Sequence, residues 1–258
     1  MAKSDLTVTI LGSGTSHGIP MIACDCPVCT SADPNDKRTR PSITIQFDQT
    51  TLLVDTTPEL RLQCVACGIR RVDAVLFTHH HIDHIAGLDD LRRFNWVQES
   101  VIPCYGQTET LARIREMFPY IFDENSTYLA KPKLTLHTVD GPFEIAGRSV
   151  TPINLLHGQM PVLGFRVGDF AYCTDVSEIP PESWPLLEGL DALILDALRK
   201  RPHPTHFNLE QAVDHARRIG ARQTYFTHVA HELGHAETNR SLPDGMALAH
   251  DGQVIQTQ

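Results

Sequence analysis

A short apolar run, Val75-Leu76-Phe77, stops at Thr78 and leads straight into His79, His80, His81, Ile82, Asp83 and His84. A run bounded in this way reads as a buried strand that gives way to a loop, with a helix starting near Asp83. Alternate residues of an extended chain point the same way, so His79 and His81 face one metal ion. Asp83 and His84 follow where the backbone turns, and face a second ion beside it. A tag or a solvated histidine loop would be terminal or monotonous. This cluster is internal, carries an acid at a fixed offset and caps an apolar run. Imidazole and carboxylate together suit Zn, Mn or Fe. Any fold for this chain has to bring a strand end to a metal.

Composition sets the limits around that site. With 258 residues, 41% of them apolar and 21% charged, the chain has the make-up of an ordinary globular protein, and residues 1–258 read as one domain. No apolar stretch approaches ~20 residues, and the opening MAKSDLTVTI lacks a signal-peptide core. The expectation is a cytoplasmic protein without a membrane span. A net charge of −9 and a pI near 5.8 argue against broad nucleic-acid binding, which needs Lys/Arg stripes to displace counterions. The densest basic runs, Lys37 to Arg40 and Arg199-Lys200-Arg201, read as solvated loops. A small anionic substrate would be held by the metals themselves.

Seven cysteines is an odd number, and without an export signal a disulfide framework is not expected. Cys24, Cys26 and Cys29 lie close together as C-x-C-x-x-C, three thiolates that need a fourth ligand, a His being the obvious type, to close a structural zinc site. Cys64 and Cys67 form a C-x-x-C within an apparent helix and read as packing residues, as do Cys104 and Cys173 in or beside strands.

In chain order, Leu6 to Leu11 reads as a strand followed by the Gly-rich GSGTSHG loop. That loop matches neither the dinucleotide fingerprint nor the P-loop, and a tight turn is the simpler reading; its His17 lies where it could approach the metal site. Ser42 to Phe47 and Thr51 to Val54 read as paired strands, the second ending at Asp55. A helix follows, with Thr57 as N-cap, Pro58 at its first position and Gly68 as C-cap. After the His cluster come a helix at LDDLRRF, a strand from Val101 to Tyr105 and a helix from Thr108 to Met117. Phe118 to Pro132 is irregular and aromatic-rich, a lid or a subunit contact. Strands are expected at Lys133 to Val139, Phe143 to Ile145, Ser149 to Leu156, Val162 to Val167, Phe170 to Cys173, Ala192 to Leu195 and Thr224 to Thr227. Pro181 to Leu187 reads as a short helix, and a longer one is capped by Asn208. Met246 to Ala249 and Val254 to Ile255 read as a closing hairpin about Asp251-Gly252.

One regularity stands out. Apolar strands end in His or Asp at His79, His157, Asp175 and His228. Ligands at strand ends along one edge of a layered sheet are rigidly positioned. His79, His81 and His157 complete one site, Asp83, His84 and His228 the other, and Asp175 can bridge them.

These motifs resemble the metallo-β-lactamase superfamily. HHHIDH fits its H-x-H-x-D-H signature, LLHG, CTDVSE and FTHVAHE fit its later motifs in order, and LLVDTTP its early strand-ending Asp. The C-x-C-x-x-C after GSGTSHGIP, with T-H-x-x-H near the end, is similar to the group of phosphoribosyl 1,2-cyclic phosphate phosphodiesterases (the PhnP group). The resemblance covers nearly the whole chain. It implies a four-layer αββα sandwich, two divalent ions at the active site (Zn or Mn, with Fe an option) and a structural Zn in the hairpin at 20–30. His231 would be the fourth ligand of that zinc. It also implies a His before a late helix as proton donor or phosphate stabiliser, which THFNLEQ matches approximately at His206, with His203 a weaker candidate. Asp55 and Asp196 would orient ligating His side chains and the loop, because metal-bound imidazoles need partners for their second N–H. His80 reads as packed or supporting; His137, His215, His235 and His250 have no assigned role.

The expected activity is hydrolysis of a small, cyclic phosphodiester by water shared between two ions, with Asp83 and His206 as catalytic residues. Other chemistries on this scaffold are a tRNA 3′-processing ribonuclease, a thioesterase or a lactonase. The first should carry a long basic arm, which is missing between these motifs. A non-catalytic member of the coenzyme PQQ synthesis type is the reading from another class; such members tend to lose part of the dinuclear set, which is complete here. The resembling group implies a homodimer.

Overall fold

The computed structural model describes residues 6–257 apart from 124 and 126; residues 1–5, on which the signal-peptide expectation partly rests, lie outside that range. Strands β1 (Thr7–Gly12), β2 (Ser42–Phe47), β3 (Thr50–Val54), β4 (Ala74–Leu76), β5 (Ile102–Gly106) and β6 (Leu134–Thr138) belong to one sheet. Strands β7 (Phe143–Ile145), β8 (Arg148–His157), β9 (Met160–Val167), β10 (Phe170–Cys173), β11 (Ala192–Asp196), β12 (Gln223–Thr227) and β13 (Met246–Leu248) make the second, and β14 (Val254–Gln256) returns to the first. The spatial orders are β14-β1-β2-β3-β4-β5-β6 and β13-β12-β11-β10-β9-β8-β7. Both sheets change character midway: β3-β4-β5-β6 and β10-β11-β12-β13 are parallel, whereas the remaining pairs are antiparallel.

Strand periodicity explains the layers. In β3, Leu52 and Val54 point into the space between the sheets, where they meet Phe165, Phe170, Tyr172 and Ile194. Leu53 points the other way, into a cluster with Val75, Phe77, Leu60, Leu91 and Ile114. The last three come from α1 (Leu60–Ala66), α3 (Leu91–Gln98) and α4 (Thr108–Met117), so helices cover that outer face. On the far side Leu193, Leu195 and Phe226 pack against Ala212 and Ala216 of α6 (Leu209–Ile219). Side chains alternating across a strand demand this order of helix, sheet, sheet, helix. The expected αββα sandwich is the fold.

Asn208 caps α6 with a full capping box: its side chain accepts from the Gln211 N–H at 2.9 Å, and the Gln211 side chain accepts from the Asn208 N–H at 3.0 Å. Such a cap is worth about 1 kcal/mol. Three local expectations need correction. The helix after Asp55 begins at Leu60, with Glu59 rather than Thr57 at its cap; the Thr57 hydroxyl donates to Gln63 Oε1 at 2.9 Å instead. The helix read at LDDLRRF opens as a 3-10 turn, Leu88–Asp90, and α3 continues to Gln98. The stretch after Phe118 contains a helical turn, α5 (Pro119–Phe122).

The closing hairpin is the larger correction. β13 runs parallel to β12 in the second sheet, and β14 runs antiparallel to β1 in the first. The turn at Asp251-Gly252 therefore carries the chain from one sheet to the other. Its Asp251 carboxylate accepts from the Ser13 N–H and hydroxyl (2.9 and 2.8 Å) and from the Thr39 N–H and hydroxyl (both 2.7 Å). These long-range partners outweigh a local Asp-Gly turn signal.

Candidate metal centre

The acids and imidazoles singled out by the sequence lie along one edge of the sandwich, just past strand ends. Asp55 follows β3, Asp175 lies past β10 and His228 follows β12. All three have left-handed backbone, with φ of 63°, 57° and 59°. That region costs a non-glycine residue free energy and concentrates at functional sites. Past β4, which ends at Leu76, His79 follows a bend at Thr78, His81 sits at the N-cap of the short helix α2 (Ile82–Ile85), and Asp83 and His84 lie on that helix.

The side chains converge. His84 Nε2 lies 3.4 Å from Asp175 Oδ1 and 3.5 Å from Asp83 Oδ2. His228 Nε2 lies 3.4 Å from Asp175 Oδ2 and 3.7 Å from Asp83 Oδ2, and His79 Nε2 is 3.8 Å from Asp175 Oδ2. His81, His157 and Asp175 form one ligand-spaced group, Asp83, His84 and His228 another, and His79, His84 and Asp175 a third that joins them. Asp175 recurs between the groups, where a bridging carboxylate belongs.

Further hydrogen bonds fix the rings of His79, His84 and His157. His84 Nδ1–H donates to Asp55 Oδ2 at 2.7 Å. Asp55 also accepts the Thr78 N–H at 2.9 Å and the Thr78 hydroxyl at 2.8 Å. His79 Nδ1 meets Thr78 Oγ1 at 3.0 Å, and His157 Nδ1–H donates to the carbonyl of Thr205 at 2.7 Å. These contacts commit Nδ1 as donor and leave Nε2 as the ligand nitrogen. Asp196 accepts from His206 Nδ1–H at 3.1 Å, from the Phe207 N–H at 3.1 Å and from the Asp175 N–H at 3.3 Å. His206 stacks on His228 with centroids 4.6 Å apart and closes the rim; His203 lies 5.2 Å further out. His80 points elsewhere, its ring 6.0 Å from His81. Thr78 and Thr205 were not singled out by sequence; a threonine and a backbone carbonyl carry no pattern that separates them from others.

Charge and burial compete at this centre. Burial, helped by His84, pushes His79 well below the usual imidazole range, and burial takes His157 down to about 4 against the pull of Asp175. Burial opposes charge on His228 too, but Asp175, Asp83 and Asp196 outweigh it and raise it to about 9. For His84 the same contest ends well above the ordinary value. Asp175 is held well below the carboxylate range, its burial overcome by His228 and His84. Buried carboxylates facing buried imidazoles call for positive charge in their midst. Metal ions fit the donors: the Nε2 atoms of His79, His84 and His228 are buried and make no hydrogen bond among the described residues.

The second cluster is of another kind. Cys24, Cys26 and Cys29 surround His231 Nδ1 at 3.2, 3.5 and 3.5 Å. Zinc–sulfur and zinc–nitrogen bonds of about 2.3 and 2.0 Å give tetrahedral edges of roughly 3.5 Å, so the spacing fits. The Cys29 N–H, at 3.4 Å, lowers the pKa of Cys26, whereas burial pushes Cys29 up to about 11. Cys64, Cys104 and Cys173 are buried in the cores, as expected of packing residues, whereas Cys67 is only partly buried against the same cluster as Cys64.

Residues 50–229 match the family model described as a β-lactamase superfamily domain. The chain belongs to the metallo-β-lactamase superfamily. Its fold superposes on a crystal structure described as a new diphosphatase from the PhnP family with a TM-score of 0.92 and 44% identity, over 98% of this chain and 97% of that one. An octanoyltransferase of Porphyromonas gingivalis is 39% identical over 248 residues; the match takes in 94% of this chain and 50% of that protein, so the chain spans about half the length of this curated relative. Zn²⁺-bound PqqB from Methylobacterium extorquens shares the fold at a TM-score of 0.77 and 21% identity, covering 96% and 99% of the two chains. The chain has the metallo-β-lactamase fold, and that fold implies divalent metal ions. No helix is long and apolar enough to cross a membrane among the described residues.

Proposed function

We propose that the protein hydrolyses a small phosphodiester, with two divalent ions held by His79, His81, His157, Asp83, His84, His228 and a bridging Asp175. A structural zinc would be held by Cys24, Cys26, Cys29 and His231. The observation that carries the reading is His206: an imidazole fixed by Asp196 on the rim of the acid–imidazole centre, stacked on a ligating His. Bound ions supply Lewis acidity and lower the pKa of the attacking water from 15.7 towards ~7. The chain's own residues do the rest. Asp55, Thr78 and Thr205 hold the rings of His84, His79 and His157 in one tautomer, so these need no reorganisation during the reaction. With His206 Nδ1 occupied by Asp196, Nε2 is the nitrogen that passes a proton to the departing oxygen. Asp83 faces the same space, where its carboxylate would accept the proton of the attacking water.

A P–O–P bond is the second form of this chemistry, favoured by the 44% identity to a PhnP-family diphosphatase. It presents the same tetrahedral, anionic phosphorus to the same residues. The thioesterase and lactonase readings have no such neighbour among the similar structures described above. The test is a panel on protein loaded with Zn or Mn: bis(p-nitrophenyl) phosphate, a ribose 1,2-cyclic phosphate, a sugar-linked diphosphate, a thioester and a lactone. Turnover of the phosphoryl compounds is expected. Turnover restricted to thioester or lactone would overturn the reading.

A further inference from the structure

His228 lacks what His79, His84 and His157 have. Their Nδ1 atoms each meet a hydroxyl, a carboxylate or a carbonyl. His228 Nδ1 is buried and makes no hydrogen bond among the described residues. Asp196 Oδ1 is 3.9 Å away, beyond hydrogen-bond reach, and already accepts from His206 and from the Asp175 N–H. The His228 backbone is also left-handed, at φ 59°, a state that persists only where the surroundings over-determine it.

Those surroundings are backbone. The Val229 N–H donates to the Ser13 carbonyl at 3.0 Å, and the Thr15 N–H donates to the Val229 carbonyl at 3.1 Å. Gly14 and Val229 pair as a parallel bridge, and the Ala230 N–H donates to the Leu198 carbonyl at 2.8 Å. The residue after the ligand is therefore gripped from both sides by the GSGTSHG loop, which gives that loop a role a tight turn does not. Its glycines permit a close approach to the Arg38–Arg40 segment behind it. A Cβ on Gly12 would collide with the Arg40 carbonyl, and one on Gly14 would come within 2.9 Å of Arg38 Cβ. Lys37 to Arg40 is accordingly not a solvated loop: Arg38 is 2% exposed, and its Nη1 donates to Ser13 Oγ at 2.8 Å and to the Ala249 carbonyl. Asp251 ties the two segments together, because its carboxylate accepts from the N–H and hydroxyl of both Ser13 and Thr39.

We propose that Asp251 is a positioning residue for the metal centre. It fixes the glycine-rich loop, the loop fixes Val229, and this backbone clamp replaces the side-chain partner that the His228 ring lacks. The inference rests on the reading of His228 as a metal ligand.

The experiment measures Co²⁺ affinities at the dinuclear centre in wild type and Asp251→Asn, with His228→Ala identifying the ion that His228 holds. The Asn amide turns an N–H₂ group toward N–H donors and loosens the loop. Asp251→Asn should weaken the His228 ion by about 10-fold and the other ion by less than about threefold. Amide exchange at Val229 in metal-free protein should quicken by about 10-fold or more. Asp73→Asn is the control: Asp73 accepts the Thr51 N–H at 2.9 Å at the far end of β3, and its loss should leave both affinities unchanged. If Asp251→Asn does not fold, Gly14→Ala, which pushes the loop off Arg38, is measured in its place with the same expectation. Equal weakening of both ions, or an unchanged His228 ion, overturns the inference while leaving His228 a ligand. A wild type whose Co²⁺ binding is the same as that of His228→Ala overturns the underlying reading as well.

Discussion

Two metal-ready clusters sit three residues apart in sequence, His228 in one and His231 in the other, and they differ in nearly every physical respect. The centre around Asp175 is buried, built from nitrogen and carboxylate donors, and the imidazoles of His79, His84 and His157 each have a second partner. The cluster around His231 is half-exposed and built from thiolates on a loop. Three cysteines and a histidine complete a tetrahedron and leave no room for a reactant. The centre around Asp175 has donors for two ions, a rim imidazole and a cavity alongside. The difference teaches that donor chemistry separates a site that holds a loop in place from one that can turn over a substrate.

The comparison breaks most severely at its shared carboxylate. Asp175→Ala should lower turnover of bis(p-nitrophenyl) phosphate by at least about 10⁴-fold while zinc at the cysteine cluster is retained; metal analysis beside the rate assay checks both halves. Near wild-type rates at saturating metal would sink the assignment. The proposed role of His206 as proton donor, outside the metal ligand set, predicts that His206→Ala costs about 10²- to 10⁴-fold in kcat with metal content unchanged; loss of metal with the rate would make it a ligand, as its spacing to Asp175 and His228 allows. Asp55→Asn should weaken metal binding at the dinuclear centre by roughly 10- to 100-fold, seen as a rightward shift of the metal activation curve.

Smaller effects belong to the thiolate cluster. Cys26→Ser should remove one zinc and lower Tm by roughly 5 °C; unchanged zinc content would count against the cluster as a metal site. Protonation gives the subtlest contrast. In metal-free protein burial raises Cys29 to about 11 from its unfolded value of 9.0. A raised folded pKa stabilises below the unfolded value and is lost as pH rises through the folded one. Metal-free wild type should therefore lose stability between pH 9 and 11 more steeply than Cys29→Ser, as read by urea denaturation.

Much of the site was legible because its chemistry is local. His79 to His84 supply donors at fixed offsets on a strand end, and a strand ending in a lone Asp or His is visible without a fold. The support for those donors was less visible. Thr78 and the Thr205 carbonyl act through position alone, and His17 joins His203 and His206 in one cavity only because the chain folds back. The layered fold could be read from alternation in strands such as Thr50–Val54, but the route between sheets could not. Asp251-Gly252 has the local chemistry of a hairpin; it serves as a crossing because Ser13 and Thr39, far away in sequence, supply the donors for its carboxylate.

That crossing has a consequence for biosynthesis. Residues Val254–Gln256 pair with Thr7–Thr9, so during synthesis one backbone edge of β1 stays bare until a strand far along the sequence has emerged. During that interval the chain exposes a strand template, a hazard absent from a protein whose strands pair in order of synthesis.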